Sequence, residues 1–218
     1  MKKQIIIGIS LLVLLSTINI KKDLAIKKFN IEEINVVNNF LIKDKEIKDL
    51  LIFSYNTNLI FLNNSRIEEA LKQNTFIEGF KIKKKYPNTL NIEIIEKEPF
   101  AILLNKKKKF YLSKKIDLIE YKKIKRYESL PYVFGNKEEF EIFYKNLKAI
   151  NFPFDIIKNY TFFDSKRWDL EILNGIIVKL PRKNYNESLK NFLKIKNKNS
   201  FKKYLVFDYR IPNQLILK

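Results

Sequence analysis

The chain has 218 residues, 46% hydrophobic and 14% aromatic, which excludes a disordered polypeptide and allows one large or two small domains with cores of their own. Forty-three Lys and Arg against 24 Asp and Glu give a net charge of +19, but the positives are mostly Lys and spread along the whole chain, as AT-rich coding would leave them. The absence of His and Cys removes the usual general base, thiol nucleophiles, disulfides and the commonest metal ligands, and four scattered glycines cannot build a P-loop or dinucleotide fingerprint.

After Lys2 and Lys3 comes an uncharged run from Gln4 to Ile20, closed by Lys21 and Lys22. A helix of that length spans about 26 Å, at the short end for a hydrocarbon core of about 30 Å, and flanking lysines can snorkel to make up the deficit. The exit Ser16-Thr-Ile-Asn-Ile-Lys-Lys22 lacks an A-x-A-like cleavage site, so an uncleaved single-span anchor within residues 1–28 is expected rather than a removed signal peptide. Lys2 and Lys3 on one side face Lys21, Lys22, Lys27 and Lys28 on the other, and the positive-inside rule leaves the orientation open.

Residues 29–100 read as a small α+β unit in the order strand, helix, helix, strand, strand. Ile34-Asn-Val-Val37 is a short strand, and Ile47, Leu50 and Leu51 fall at helical spacing. Ser65 and Glu68 form a capping-box pattern ahead of a helix whose apolar face is Ile67, Ala70 and Leu71. Phe76, Phe80 and Ile82 are expected on one face of a strand, with Lys81 and Lys83 on the other. Tyr86-Pro-Asn-Thr89 then turns the chain into Leu90, Ile92 and Ile94, which alternate with Asn91 and Glu93.

Residues 101–218 read as a larger antiparallel sheet carrying two or more helices. Lys106 to Lys109 with Phe110-Tyr-Leu112 is strand-like, and Leu130-Pro-Tyr-Val-Phe-Gly135 closes that section. Phe140, Phe143, Tyr144 and Leu147 mark one helix face; Tyr185, Leu189, Phe192 and Leu193 mark another. Between them Trp168, Leu170 and Ile172 alternate with Asp169 and Glu171, Asn174-Gly175 is a hairpin signal, and Ile176 to Leu180 is the return strand. Tyr204 to Ile211 and Leu215 to Leu217 are the last strands.

The first unit resembles a POTRA domain in its β-α-α-β-β order. Phe76 to Ala101 is similar to that family's final hairpin, with an aromatic-Pro-x-Thr-Leu turn and an acidic-x-x-Pro exit. Asn38-Asn39 stands where a Gly is common, and Asn also tolerates left-handed geometry. In the second unit Leu130-Pro-x-x-x-Gly135, Arg167-Trp-Asp-Leu-x-x-x-Asn-Gly175 and Phe207-Asp-Tyr-Arg210 follow the order of the FtsQ/DivIB β-domain. With the N-terminal anchor, the whole chain resembles the FtsQ/DivIB family of bacterial cell division proteins.

That resemblance implies a non-enzymatic scaffold of the division machinery, without cofactor, metal or small-molecule substrate. It implies a single span in the bacterial inner membrane with the N-terminus cytoplasmic, both domains periplasmic, and concentration at the septum. The implied partners are single-pass coiled-coil proteins of the FtsB and FtsL type, with assembly of septal wall synthesis as the outcome. β-Augmentation at a terminal edge strand is the suggested mode. The candidate partner-binding residues are Arg167, Tyr204, Phe207, Tyr209, Arg210, Ile211, Leu215 and Ile216. Both arginines suit bidentate pairing with carboxylates. The first unit is a candidate second docking site.

Rival readings rest on single features. Asp169, Glu171 and Asp208 suggest paired-carboxylate hydrolysis, but a polar strand face explains them equally. Trp168, the one Trp, is expected in the core rather than on a ligand platform. Lys106 to Lys109 beside Phe110 and Tyr111 is the nearest approach to a nucleic-acid surface, which an exported chain would not meet. An outer-membrane assembly factor would also carry POTRA, but residues 102–218 hold too few alternating segments for a barrel.

Overall fold

The computed structural model describes residues 2–17 and 27–218. Helix α1 (Lys2–Thr17) takes in most of the apolar run. The end of that run at Ile18-Asn-Ile20 and the closing Lys21 and Lys22 lie outside the described residues. Among the described residues no helix is long and apolar enough to cross a membrane. Beyond the first helix the chain divides after Glu96 into two compact units.

The first unit runs β1 (Glu33–Val37), α2 (Asp44–Leu50), α3 (Asn64–Lys72), β2 (Ile77–Lys85) and β3 (Thr89–Glu96). Strand β3 is central, parallel to β1 and antiparallel to β2. Its alternation buries Leu90, Ile92 and Ile94, against which Ile47, Ile67 and Leu71 of the helices supply the apolar counterpart. Asn38 ends β1 with φ of 64°, the left-handed conformation that Asn accepts. Two local expectations change. Helix α3 starts at Asn64, and Asn63, not Ser65, is its cap, accepting a bond from the Ser65 N–H at 2.9 Å. A bulge between Ile77 and Gly79 inserts a residue in β2, so Phe76 is buried while Phe80 and Ile82 beyond the bulge are only half-buried.

The second unit adds β4 (Pro99–Asn105), β5 (Lys108–Ser113), β6 (Leu118–Glu120), β7 (Tyr132–Phe134), α4 (Lys137–Ala149), β8 (Ile157–Phe163), β9 (Arg167–Ile172), β10 (Ile177–Lys179), α5 (Tyr185–Ile195), β11 (Val206–Asp208) and β12 (Ile216–Leu217). They form one nine-stranded sheet in the order β12-β11-β10-β9-β8-β7-β4-β5-β6. The sheet is mixed, not antiparallel as expected. Pairs β4–β7, β7–β8 and β10–β11 are parallel. Parallel neighbours need a crossover, and α4 and α5 are the crossovers of the last two.

Both helices lie on the same face of this sheet. Phe140, Phe143, Tyr144 and Leu147 of α4 and Leu189, Phe192 and Ile195 of α5 join one core with Leu103, Val133, Tyr160, Trp168, Leu170, Val178 and Phe207. Trp168 stacks on Phe143 with ring centroids 4.8 Å apart. The Asn136 side chain caps α4 by accepting from the Glu139 N–H at 2.9 Å. At the turn between β9 and β10, Asn174 and Gly175 take φ of 69° and 76°.

Candidate partner-binding edge

Strand alternation sorts the side chains near the end of the sheet into two sets. Phe207, Tyr209, Leu215 and Leu217 turn toward the helices and pack in or against the core. Phe207 is 1% exposed and meets Phe192 edge to face; Tyr209 is 7% exposed, and its hydroxyl donates to Asn191 Oδ1 at 2.9 Å. Tyr204 is also packed against the core. Val206, Asp208 and Arg210 have the opposite parity, and Ile216, paired with Asp208, follows them. The eight expected contact residues are therefore not one surface. The side chains of Arg210, Ile211 and Ile216 are open to solvent, whereas Phe207 and Tyr209 are buried behind them.

The open face carries a transverse row fixed by register: Thr161 beside Asp169, Asp169 beside Lys179, Lys179 beside Asp208, Asp208 beside Ile216. Each aspartate has an arginine two residues away in the chain, Arg167 within β9 and Arg210 just beyond β11. Arg167 pairs with Asp169 and lies over the Phe163 ring at 4.1 Å. Arg210 brackets Asp208 with Nε to Oδ1 at 2.9 Å and Nη2 to Oδ2 at 2.6 Å, while its backbone N–H donates to Oδ1 at 3.1 Å. Those bonds leave the Arg210 side chain 45% exposed, against 19% for Arg167.

The two carboxyls respond in opposite ways. The bonds from Arg210 hold Asp208 below the usual aspartate range. Burial pushes Asp169 up, only partly offset by Arg167, Lys179 and Arg210. Glu171 is engaged elsewhere, accepting from Lys158 and Asn159, both at 2.6 Å. The three acids are thus each tied to a cation or amide, and among the described residues no three acidic side chains gather as a metal-binding cluster.

Both last strands are shorter than expected, and the reason is local. The Tyr209 N–H bonds back to Lys179 O at 2.8 Å, and the Arg210 N–H is taken by the Asp208 side chain, so Arg210 and Ile211 leave the ladder. Strand β12 then returns as the outermost strand. Lys218 and Val206 exchange both backbone bonds, N to O at 3.1 and 2.9 Å. By the alternation of an antiparallel ladder, the next residue, Leu217, aims its N–H and C=O away from β11. This outward pair is invisible in composition or motif, because register alone assigns it. Beside the edge, Arg182, Lys183, Asn191, Arg210, Pro212 and Leu215 line a concavity of about 640 Å³.

Residues 29–97 match the family described as POTRA domain, FtsQ-type, and residues 101–210 match Cell division protein FtsQ/DivIB, C-terminal. Cell division protein FtsQ of Agrobacterium fabrum is 26% identical over 163 residues, covering 74% of this chain and 51% of that relative. FtsQ of Rickettsia bellii is 27% identical over 198 residues, with 87% and 72% covered. Cell division protein DivIB of Clostridium botulinum is 36% identical over 124 residues, with 56% and 46% covered. The chain spans about half the length of the Agrobacterium and Clostridium relatives.

Proposed function

The chain belongs to the FtsQ/DivIB family of cell division proteins, and from that premise we propose that it is a non-enzymatic scaffold that captures a partner strand on the open edge of β12. The observation that carries this is the outward Leu217 N–H and C=O at the end of a nine-stranded sheet. An unpaired edge is a template for another strand, and neighbouring side chains set which strand is accepted. Here those neighbours are Ile216, Ile211, the half-exposed Arg210 and the exposed Lys218, apolar groups set among cations. A segment alternating apolar and acidic residues fits it.

The apolar run from Gln4 to Ile20 supports a single membrane span, and membership of the family, not the flanking lysines, is what favours both units on the outer face. The partners in this reading are FtsB-like and FtsL-like single-pass coiled-coil proteins at the septum. Since the family match ends at Arg210, β12 is argued from its own geometry.

The test separates the outer from the inner side of the edge. Leu217→Pro removes a donor that β11 does not use, and edge strands tolerate Pro on their solvent side. We expect co-purification of small coiled-coil membrane proteins to fall about tenfold, the scale of one lost backbone bond with its misfit. Leu217→Ala, which loses the same side-chain packing against the core and keeps the donor, is the reference for this fall, and the two thermal midpoints should agree within about 3 °C. Full recovery of the partners with the variant would remove β12 from the interface.

A further inference from the structure

We propose that one end of the first unit seats on the anionic headgroup surface of the membrane that carries the protein; this rests on the anchoring reading above. Three segments make that end. The Leu59 N–H donates to Phe29 O at 2.7 Å, and Asn30 bridges Asn58. The Phe29 ring meets Tyr86 of the β2–β3 turn edge to face at 6.1 Å. Lys84, near the end of β2, donates its ammonium to Ile60 O and Leu62 O at 3.3 and 3.4 Å.

What this end presents is an apolar group set among cations. Phe61 is 78% exposed, Tyr86 57% and Ile60 46%. Lys27, Lys28, Lys83 and Lys85 are exposed, as are Glu32 and Glu33, and Glu93 lines one concavity on the sheet together with Lys83 and Lys85. Glu32 accepts from Asn88 at 2.6 Å and Glu33 from Thr89 at 3.3 Å. Lysines therefore outnumber acids here, and exposed aromatics among lysines match the chemistry of a lipid interface.

Chain length fixes the direction. Only residues 21–28 separate Ile20 from Phe29, so this end lies within about 32 Å of the apolar run even if the connection is fully extended. The opposite end of the unit also exposes apolar side chains, at Val37, Phe40 and Ile95. There Asp44 and Glu96 stand beside Lys43 and Lys45, and Glu93 pairs with Lys81 at 3.6 Å, so acids and lysines balance and the lysine excess is missing.

A chain without cysteine allows a single label. Full-length Phe61→Cys and Phe40→Cys proteins, each carrying bimane, are reconstituted into vesicles whose quencher is brominated phosphatidylcholine, with or without phosphatidylglycerol. Flotation in high salt reads the anchor independently of the label. With phosphatidylglycerol, the label at position 61 should be quenched about twofold or more beyond the label at 40. That excess should vanish without the anionic lipid, at about 1 M salt, and with Lys83→Glu plus Lys85→Glu. Equal quenching at both positions in protein that still floats would overturn the seat and keep the anchor. Protein that fails to float would overturn both.

Discussion

Two arginine–aspartate pairs on the open face share a spacing but not a role. Arg167 is spent on Asp169 and the Phe163 ring, whereas Arg210 holds Asp208 and keeps nearly half its side chain in solvent. Because Asp208 titrates below its ordinary value of 3.8, its stabilisation is fully present above that pH and is lost as pH falls through the lower folded value. Asp169, raised by burial, has the opposite sign: it costs stability above its folded value, and the cost fades as pH falls toward 3.8. Asp208→Asn should therefore lower stability by about 1 kcal/mol at pH 7, discounted for the exposed arginine. It should also flatten the acid limb below pH about 4, read by Trp168 fluorescence in urea. A variant as acid-sensitive as the parent would reject this account. The glycines show what a sequence reveals at this scale. Gly175 is legible in the Asn-Gly pair because the turn needs positive φ. Gly135 is not, because its requirement is space: a Cβ there would stand 2.9 Å from Phe162 Cβ, a neighbour supplied by another strand.

Elements were legible where their signal is local. The apolar spacing of α4 and α5 names the faces they bury, and the β9–β10 hairpin follows from alternation and its turn. Parallel pairing was not legible, since the alternation inside β7 or β11 is the same whichever way its neighbour runs. Lys106 to Lys109 shows the other kind of gap. It reads as continuous strand, yet Asn105 pairs with Lys108, and Lys106 and Lys107 make the turn with φ of 43° and 72°. Two lysines in the left-handed region strain a turn that favours Asn-Gly. Lys106→Asn with Lys107→Gly should raise stability by about 1 kcal/mol, shifting the thermal midpoint upward by about 3 °C. An unchanged or lower midpoint would mean that other contacts of these lysines outweigh the strain. The candidate edge was half legible: the last strands could be located, but the outward Leu217 amide depends on register with Val206.

For the molecule as a whole, the +19 charge and the absence of His act together. Without His or Cys, no ordinary side-chain pKa lies between the carboxylates and the Tyr and Lys range. Attraction to anionic lipid or to an acidic partner strand should thus change less than about twofold between pH 6 and 8.5, while falling steeply with salt. Flotation or partner recovery measured across both series checks this; a strong pH step in that window would point to titration on the partner. The sheet order has a temporal consequence as well. Hairpins such as β11–β12 close a short loop, whereas β11 reaches β10 only after the chain has gone around α5. Until that long closure succeeds, β11 and β12 are an isolated two-stranded ribbon, which is marginal in water. Competence to recruit is then gated by helix docking: a nascent protein exposes a usable edge only after α5 has settled, and lesions in α5 would mimic loss of the edge without touching it.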